Sequence, residues 1–132
     1  MLEVGMTTEV ARVVTEEDSA AHVSPLVPPV LASARMIGFA EVVCAELMAP
    51  HLAEGETTLG VGFQFTHEAA TPIGMKVRMK VTVAAISGRV VTFDVEGLDE
   101  FDRICRGQHK RAIVPKDKFM AKLAEKAKRI GT

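Results

Sequence analysis

VLASARMIGFAEVVCAELM, residues 30–48, is the stretch on which the fold turns. Apolar or small side chains fill almost every position, so a helix built from it is apolar around nearly its whole circumference. Such a helix belongs inside a domain and not on its surface. Pro29 suits a first helical position and Ala49-Pro50 ends the run, which predicts a helix over Val30–Met48. Ala32, Ser33, Ala34, Gly38, Ala40 and Ala45 would let other backbone come close. Gly38 costs about 1 kcal/mol relative to alanine in a helix interior, which anticipates close packing or a ligand beside it. Arg35, Glu41 and Glu46 would each be expensive in a bilayer, so the segment is not read as a membrane span.

Working outward, four strand patterns follow the helix. In Thr57–Ala69, Leu59, Val61, Phe63 and Phe65 alternate with Gly60, Gly62, Gln64 and Thr66. Met75, Val77, Met79, Val81 and Val83 alternate with polar residues, which predicts one dry face and one wet face. Ser87-Gly88 turns the chain into Arg89–Glu96, with Val91, Phe93 and Val95 inward. A turn over Asp99 to Asp102 leads into Ile104–Val114, and Lys116–Arg129 is an amphipathic helix with Phe119, Leu123, Ala127 and Ile130 on one side. Before the helix, Glu3–Val14 is a strand with Val4, Met6, Val10 and Val14 in one phase, and Arg12 interrupting it near an edge. Thr15 caps a short turn, and the proline-bearing stretch Ser24–Pro29 is a loop or lid. One apolar helix and a sheet with one apolar face pack most economically with the sheet wrapped around the helix. That is an α+β hotdog fold, an antiparallel sheet around a central apolar helix with a C-terminal helix.

The 132 residues make one domain, 1–132, with no repeats and no linker. Nearly half the residues are apolar, with six Phe and neither Trp nor Tyr, so the core is expected to be aliphatic. The start of the chain lacks a basic flank followed by an apolar run, and Cys44 and Cys105 have no metal-ligand spacing. A cytoplasmic protein with two ordinary buried thiols is the expectation. Residues 103–132 carry +8 against −9 for residues 1–102, an asymmetry that suits a surface meeting an anion or a solvated lysine-rich helix.

Glu41 is the most informative side chain. A carboxylate in mid-helix among apolar residues must be hydrogen-bonded, paired or protonated; reaching a rim or pairing with Arg35 or Arg111 would account for it structurally. His67 continues the phase of Phe63 and Phe65, so its imidazole is expected on the helix side of the sheet, in the same core. An acid and a histidine facing one core are the two groups that general base and general acid catalysis needs. The four histidines show no metal-binding spacing, so no metal is expected. Ser33 is either a packing residue or a third member. Eight residues separate it from Glu41, about 12 Å along a helix axis, so a compact triad needs a bent lead-in or two subunits.

The segment Leu31–Glu41, the runs Thr58-Leu-Gly60 and Thr66-His67-Glu-Ala-Ala-Thr-Pro72, and Gly107-Gln-His-Lys-Arg111 resemble the fluoroacetyl-CoA thioesterase family of hotdog proteins, over roughly residues 3–128. The resemblance implies that a Thr/Glu/His constellation falls here on Ser33, Glu41 and His67. It also implies a glycine near the acyl group at Gly60 and a functional arginine at Arg111. The family threonine is a serine here, and the proline-rich lead-in is shorter and lacks aromatic lid residues. What carries over is thioester hydrolysis, not fluoroacyl selectivity.

The expected function is therefore hydrolysis of a short-chain acyl-CoA to free acid and CoA, with CoA as part of the substrate and no separate cofactor. Main-chain N–H groups near the helix would polarise the carbonyl, Glu41 would act as base or nucleophile, and His67 would protonate the departing thiolate. Arg111 and the following lysines would hold CoA phosphates. A hotdog hydratase or dehydratase and a non-catalytic acyl-CoA or nucleotide-binding module are the competing readings. Nucleic-acid binding is not expected, since no aromatics interleave with the C-terminal lysines. Edge strands and apolar surface predict a homodimer or a higher homo-oligomer.

Overall fold

A computed structural model describes residues 1–131; Thr132, the last residue of the predicted domain, lies outside them. Five strands, β1 (Thr7–Val13), β2 (Glu56–His67), β3 (Lys76–Ser87), β4 (Val90–Leu98) and β5 (Arg103–Pro115), form one antiparallel sheet in the order β1-β3-β4-β5-β2. Three helices accompany it: α1 (Ala20–Val23), the long α2 (Ser33–Met48) and α3 (Lys116–Ala127). The sheet lays one face against α2, the α+β arrangement that the sequence predicts.

The period-two patterns of β3 and β4 are realised as written. Val77, Met79, Val81 and Val83, with Val91, Phe93 and Val95, are buried against Met36, Phe39, Ala40, Val43, Cys44 and Met48 of α2. Each such side chain contributes roughly 1.5–3 kcal/mol of burial. The core is aliphatic apart from Phe39 and Phe93. Gly88, at φ +59°, opens a two-residue loop that closes the β3–β4 hairpin, with Ser87 opposite Val90.

Element bounds depart from the sequence reading in places. Helix α2 begins at Ser33 and not Val30, because the lead-in is extended: Val30 bridges to Pro72 and Leu31 to Ser19, and the Leu31 N–H donates to the Thr71 carbonyl at 2.8 Å. Strand β1 begins at Thr7, since Gly5 sits in a turn at φ +96° and Val4 is exposed. Helix α3 forms but ends at Ala127 and not Arg129; Leu123 and, beyond the helix, Ile130 are exposed and Phe119 is only half-buried, so its apolar stripe is not covered within the chain. A Cβ at Gly38 would meet nothing within 4 Å, so packing inside the chain does not explain that glycine.

Asp18 locks the entry to α2. Its buried carboxylate accepts from Arg12 Nη2 at 2.5 Å, Arg35 Nε at 3.0 Å and the Thr15 N–H at 2.9 Å. Burial pushes its protonation upward, but the Thr15 N–H and the two guanidiniums outweigh that and hold it well below the usual carboxylate range. Arg12 also lies over the Phe39 ring, 5.1 Å from its centroid, so edge strand β1 and the helix are fastened at one point.

Candidate active site

The site is built where β5 and β2 pass under α2. On β5 the residues turned toward the helix are Cys105, Gly107, His109 and Arg111; Cys105, His109 and Arg111 are all buried. On β2 the register slips at one residue: Gly60 pairs with Arg111 and Gly62 with Lys110, leaving Val61 as a bulge. The bulge reverses the phase. Ahead of it Thr58 and Gly60 share the face of Arg111; beyond it Phe63, Phe65 and His67 lie opposite His109, Gly107 and Cys105. The sequence reading put Leu59 and Val61 in phase with Phe63. That alternation is broken by the extra residue, and Val61 is 56% exposed.

Glu41, two turns into α2, reaches across Gly60 to Arg111. Its Oε2 accepts from Arg111 Nη1 at 3.1 Å, and its side chain is 38% exposed while that of Arg111 is 8% exposed. A Cβ on Gly60 would collide with Glu41 Oε2, so the absence of a side chain there makes room for the carboxylate. Arg111 is held on its other edges as well: Nε donates to Thr58 Oγ1 at 3.0 Å, Nη2 to the Thr58 carbonyl at 3.1 Å, and Nη1 meets His109 Nε2 at 3.2 Å. Beneath this pair His109 is fully buried, its Nδ1 2.9 Å from the Gly62 carbonyl and its ring stacked on Phe63 at 4.6 Å. Burial lowers the pH at which the ring protonates; the Gly62 bond opposes this and the Arg111 charge adds to it. Cys44, behind Glu41, is a sealed thiol pushed up to about 12 by burial.

Ser33 and His67 form a second group. Ser33 is the first residue of α2, and its Oγ lies 2.7 Å from His67 Nδ1 at the far end of β2. No side chain caps this helix end, so the first N–H groups of α2 stay open to an incoming acceptor. The lead-in that positions Ser33 and the loop that follows His67 are sewn together by the Leu31–Thr71 backbone bond and the Val30–Pro72 bridge. Thr71 in turn donates to buried Asp99 at 2.9 Å, anchoring that loop to the β4–β5 turn. A cavity of about 370 Å³ opens here, lined by Val30, Ser33, His67, Glu68, Ala69 and Ala70.

The structure thus joins Ser33 to His67, and Glu41 to Gly60 and Arg111, but does not join the two groups within one chain. His67 does turn toward the helix side, yet it meets the helix at its first residue and is exposed; it does not share a sealed core with Glu41. Arg111 is buried, and its guanidinium donates to Glu41, Thr58 and His109 inside the protein. His109 was assigned no part by the sequence reading. Its signal was present in the alternation Cys105, Gly107, His109, Arg111, which puts an imidazole on the inner face one pleat from the arginine. Among the described residues, no three His, Cys, Asp or Glu side chains gather to hold a metal ion, and no helix is long and apolar enough to cross a membrane.

Known proteins share this fold and sequence. The family model described as "Fluoroacetyl-CoA-specific thioesterase" matches residues 14–117. The chain is 38% identical, over 99 residues, to the fluoroacetyl-CoA thioesterase of Streptantibioticus cattleyicolor, covering 75% of this chain and 71% of that one. It superposes on a solved structure of a fluoroacetyl-CoA thioesterase with a TM-score of 0.91 at 33% identity, over 96% of this chain and 98% of the other. A threonine-to-serine variant of that enzyme, solved with acetyl-CoA, gives a TM-score of 0.88 at 34% identity over 95% and 98% of the two chains.

Proposed function

We infer how the site works from one premise: the chain belongs to the fluoroacetyl-CoA-specific thioesterase family and is an acyl-CoA thioesterase of the hotdog fold. The observation that carries the reading is a carboxylate oriented by a buried arginine over a glycine, on the same helix as a hydroxyl that meets an imidazole from β2. The substrate is a short-chain acyl-CoA. Its thioester carbonyl points at the open N–H groups starting α2, which stabilise the oxyanion. Arg111 occupies Oε2 of Glu41, leaving Oε1 to take a proton from water as that water attacks the carbonyl carbon. Collapse of the tetrahedral intermediate breaks the C–S bond, and His67, oriented by Ser33, protonates the thiolate sulfur. Direct attack by Oε1, giving a mixed anhydride, is the other route. Turnover in heavy-oxygen water labels the Glu41 carboxylate only if that route operates.

We further propose a homodimer that completes the site. Glu41 and Ser33 lie about 12 Å apart along one helix, too far to act on one carbonyl. Edge strand β2, with Val61 and Phe63 exposed, and the Gly38–Val42 side of α2, with Val42 53% exposed, both leave apolar side chains uncovered within the chain. A second copy covering them brings one protomer's Ser33 and His67 toward the partner copy's carboxylate. The small residue at Gly38 then has a reason that the single chain does not provide. Phosphates of CoA fall to exposed Lys110, Lys116 and Lys118, not to Arg111. The protein is read as cytoplasmic, in keeping with its acyl-CoA substrate.

The test is release of CoA thiol from a panel of acyl-CoAs, fluoroacetyl-CoA included, with Glu41→Gln and His67→Ala alongside. Short-chain turnover that falls at least a hundredfold in both variants is expected. Full activity in both would overturn the assignment.

A further inference from the structure

The reaction above employs Glu41 and leaves unexplained why an imidazole is sealed directly beneath it. Both ring nitrogens of His109 have partners of fixed character. Nδ1 faces the Gly62 carbonyl at 2.9 Å, and Nε2 faces Arg111 Nη1 at 3.2 Å. A carbonyl can only accept and a guanidinium can only donate. The ring proton is therefore on Nδ1, and Nε2 is an acceptor. A doubly protonated ring would set an N–H against the guanidinium.

The charged groups facing the ring are Arg111 on its own strand and Glu41 on α2. From β2 it meets the Gly62 carbonyl and Phe63, and its cross-strand neighbour on β4 is the buried Phe93. Arg111 Nη1 has two hydrogens. One is taken by His109 Nε2 and the other by Glu41 Oε2. Nε and one Nη2 hydrogen are bound to Thr58, so Thr58 and His109 together set the plane of the guanidinium.

We infer that His109, as its Nδ1–H tautomer, is a positioning residue for Glu41, acting through Arg111 Nη1. The inference rests on the reading of Glu41 as the working carboxylate. Nε2 takes the Nη1 hydrogen that Glu41 does not, which keeps the other Nη1 hydrogen aimed at Oε2. With it engaged, the arginine grips Oε2 alone and Oε1 stays available. Without that acceptor the arginine has a spare donor in a buried place, and the guanidinium shifts to satisfy it, loosening its grip on Oε2.

Wild type, H109Q, H109L and Glu41→Gln would be compared for kcat and KM with acetyl-CoA, with circular dichroism to verify folding. Glutamine offers an amide oxygen near the Nε2 position and leucine offers nothing. H109L is expected to lower kcat at least roughly tenfold with KM within about twofold, and H109Q to stay within about threefold of wild type. Nitrogen NMR of the wild-type ring is expected to report the Nδ1–H tautomer. A folded H109L with wild-type kcat, an H109Q that falls as far as H109L, or a protonated Nε2 would each overturn the inference. Should H109L not fold, H109Q and the NMR measurement decide. Full activity in Glu41→Gln would take down the Glu41 reading and this inference with it. An inactive Glu41→Gln beside a fully active H109L would take down the inference alone.

Discussion

Replacing Gly60 by alanine should separate activity from stability. The new Cβ would overlap Glu41 Oε2 and lie 3.0 Å from Phe63 Cζ and 3.2 Å from His109 Cε1. Glu41 is the group that can yield, since its side chain is 38% exposed and ends in a flexible carboxylate; Phe63 is also 49% exposed and can lean outward. The stability penalty should therefore stay under the lower end of core overpacking, about 1 kcal/mol. That corresponds to a fall in Tm of no more than roughly 5 °C for a domain of this size. Activity should suffer far more. Leaving Arg111 forfeits a charge-assisted hydrogen bond worth about 1.5–3 kcal/mol, or roughly 10- to 150-fold in rate. A shift of about 1 Å in a reacting group has a similar effect, on the order of 100-fold. Steady-state kcat and KM with acetyl-CoA, beside a melting curve, measure both. A folded Gly60→Ala enzyme with wild-type kcat would refute the reasoning, because Glu41 would then work from somewhere other than over Gly60.

Four further outcomes are expected. Asp18→Asn should lower stability at pH 7 by about 2 kcal/mol; because the folded carboxylate titrates below its ordinary value, the contribution is complete above about pH 4 and fades as pH falls through the folded value, which denaturant melts at pH 7 and pH 3 would show. His109 binds its second proton less readily folded than unfolded, so stability should decline as pH drops below about 6.5, and H109Q should flatten that slope in thermal melts. Cys44 and Cys105 are buried, their thiols pushed up to about 12 and about 11, so a disulfide reagent should find no reactive thiol until the protein is unfolded, leaving the CoA-release assay free of background. Val61→Glu, on the exposed edge strand, should convert a dimer to monomers in sedimentation and remove activity together with assembly; an active monomer would count against a shared site.

Much of the fold was legible because most of its burial follows regular periods. The two-residue repeat of β3 and β4 and the all-apolar helix each have one economical solution, and Val77 to Val83 lie as their alternation requires. What escaped was set by single residues that interrupt a period. The slip at Val61 has no signature in hydrophobicity, because valine suits either face of a strand; it shows only when β5 is laid alongside. The extended lead-in to Ser33 depends on hydrogen bonds to Thr71, forty residues away, which no local propensity encodes. The sequence marks Glu41 as a mid-helix carboxylate that needs a partner, and Arg111 is one of the basic residues it offers. The pairing of Ser33 with His67, and the place of His109 under Arg111, needed the strands' register as well as their phase.

The slip at Val61 also makes one position of the chain expendable in length. Removing a residue from a strand ordinarily turns everything beyond it inside out. Here the cross-strand ladder already steps from Gly60 to Gly62, so a chain without Val61 would keep each of the other β2 residues opposite its present neighbour on β5. This strand can shorten by one residue where, at Gly60, it has no room to gain a methyl group.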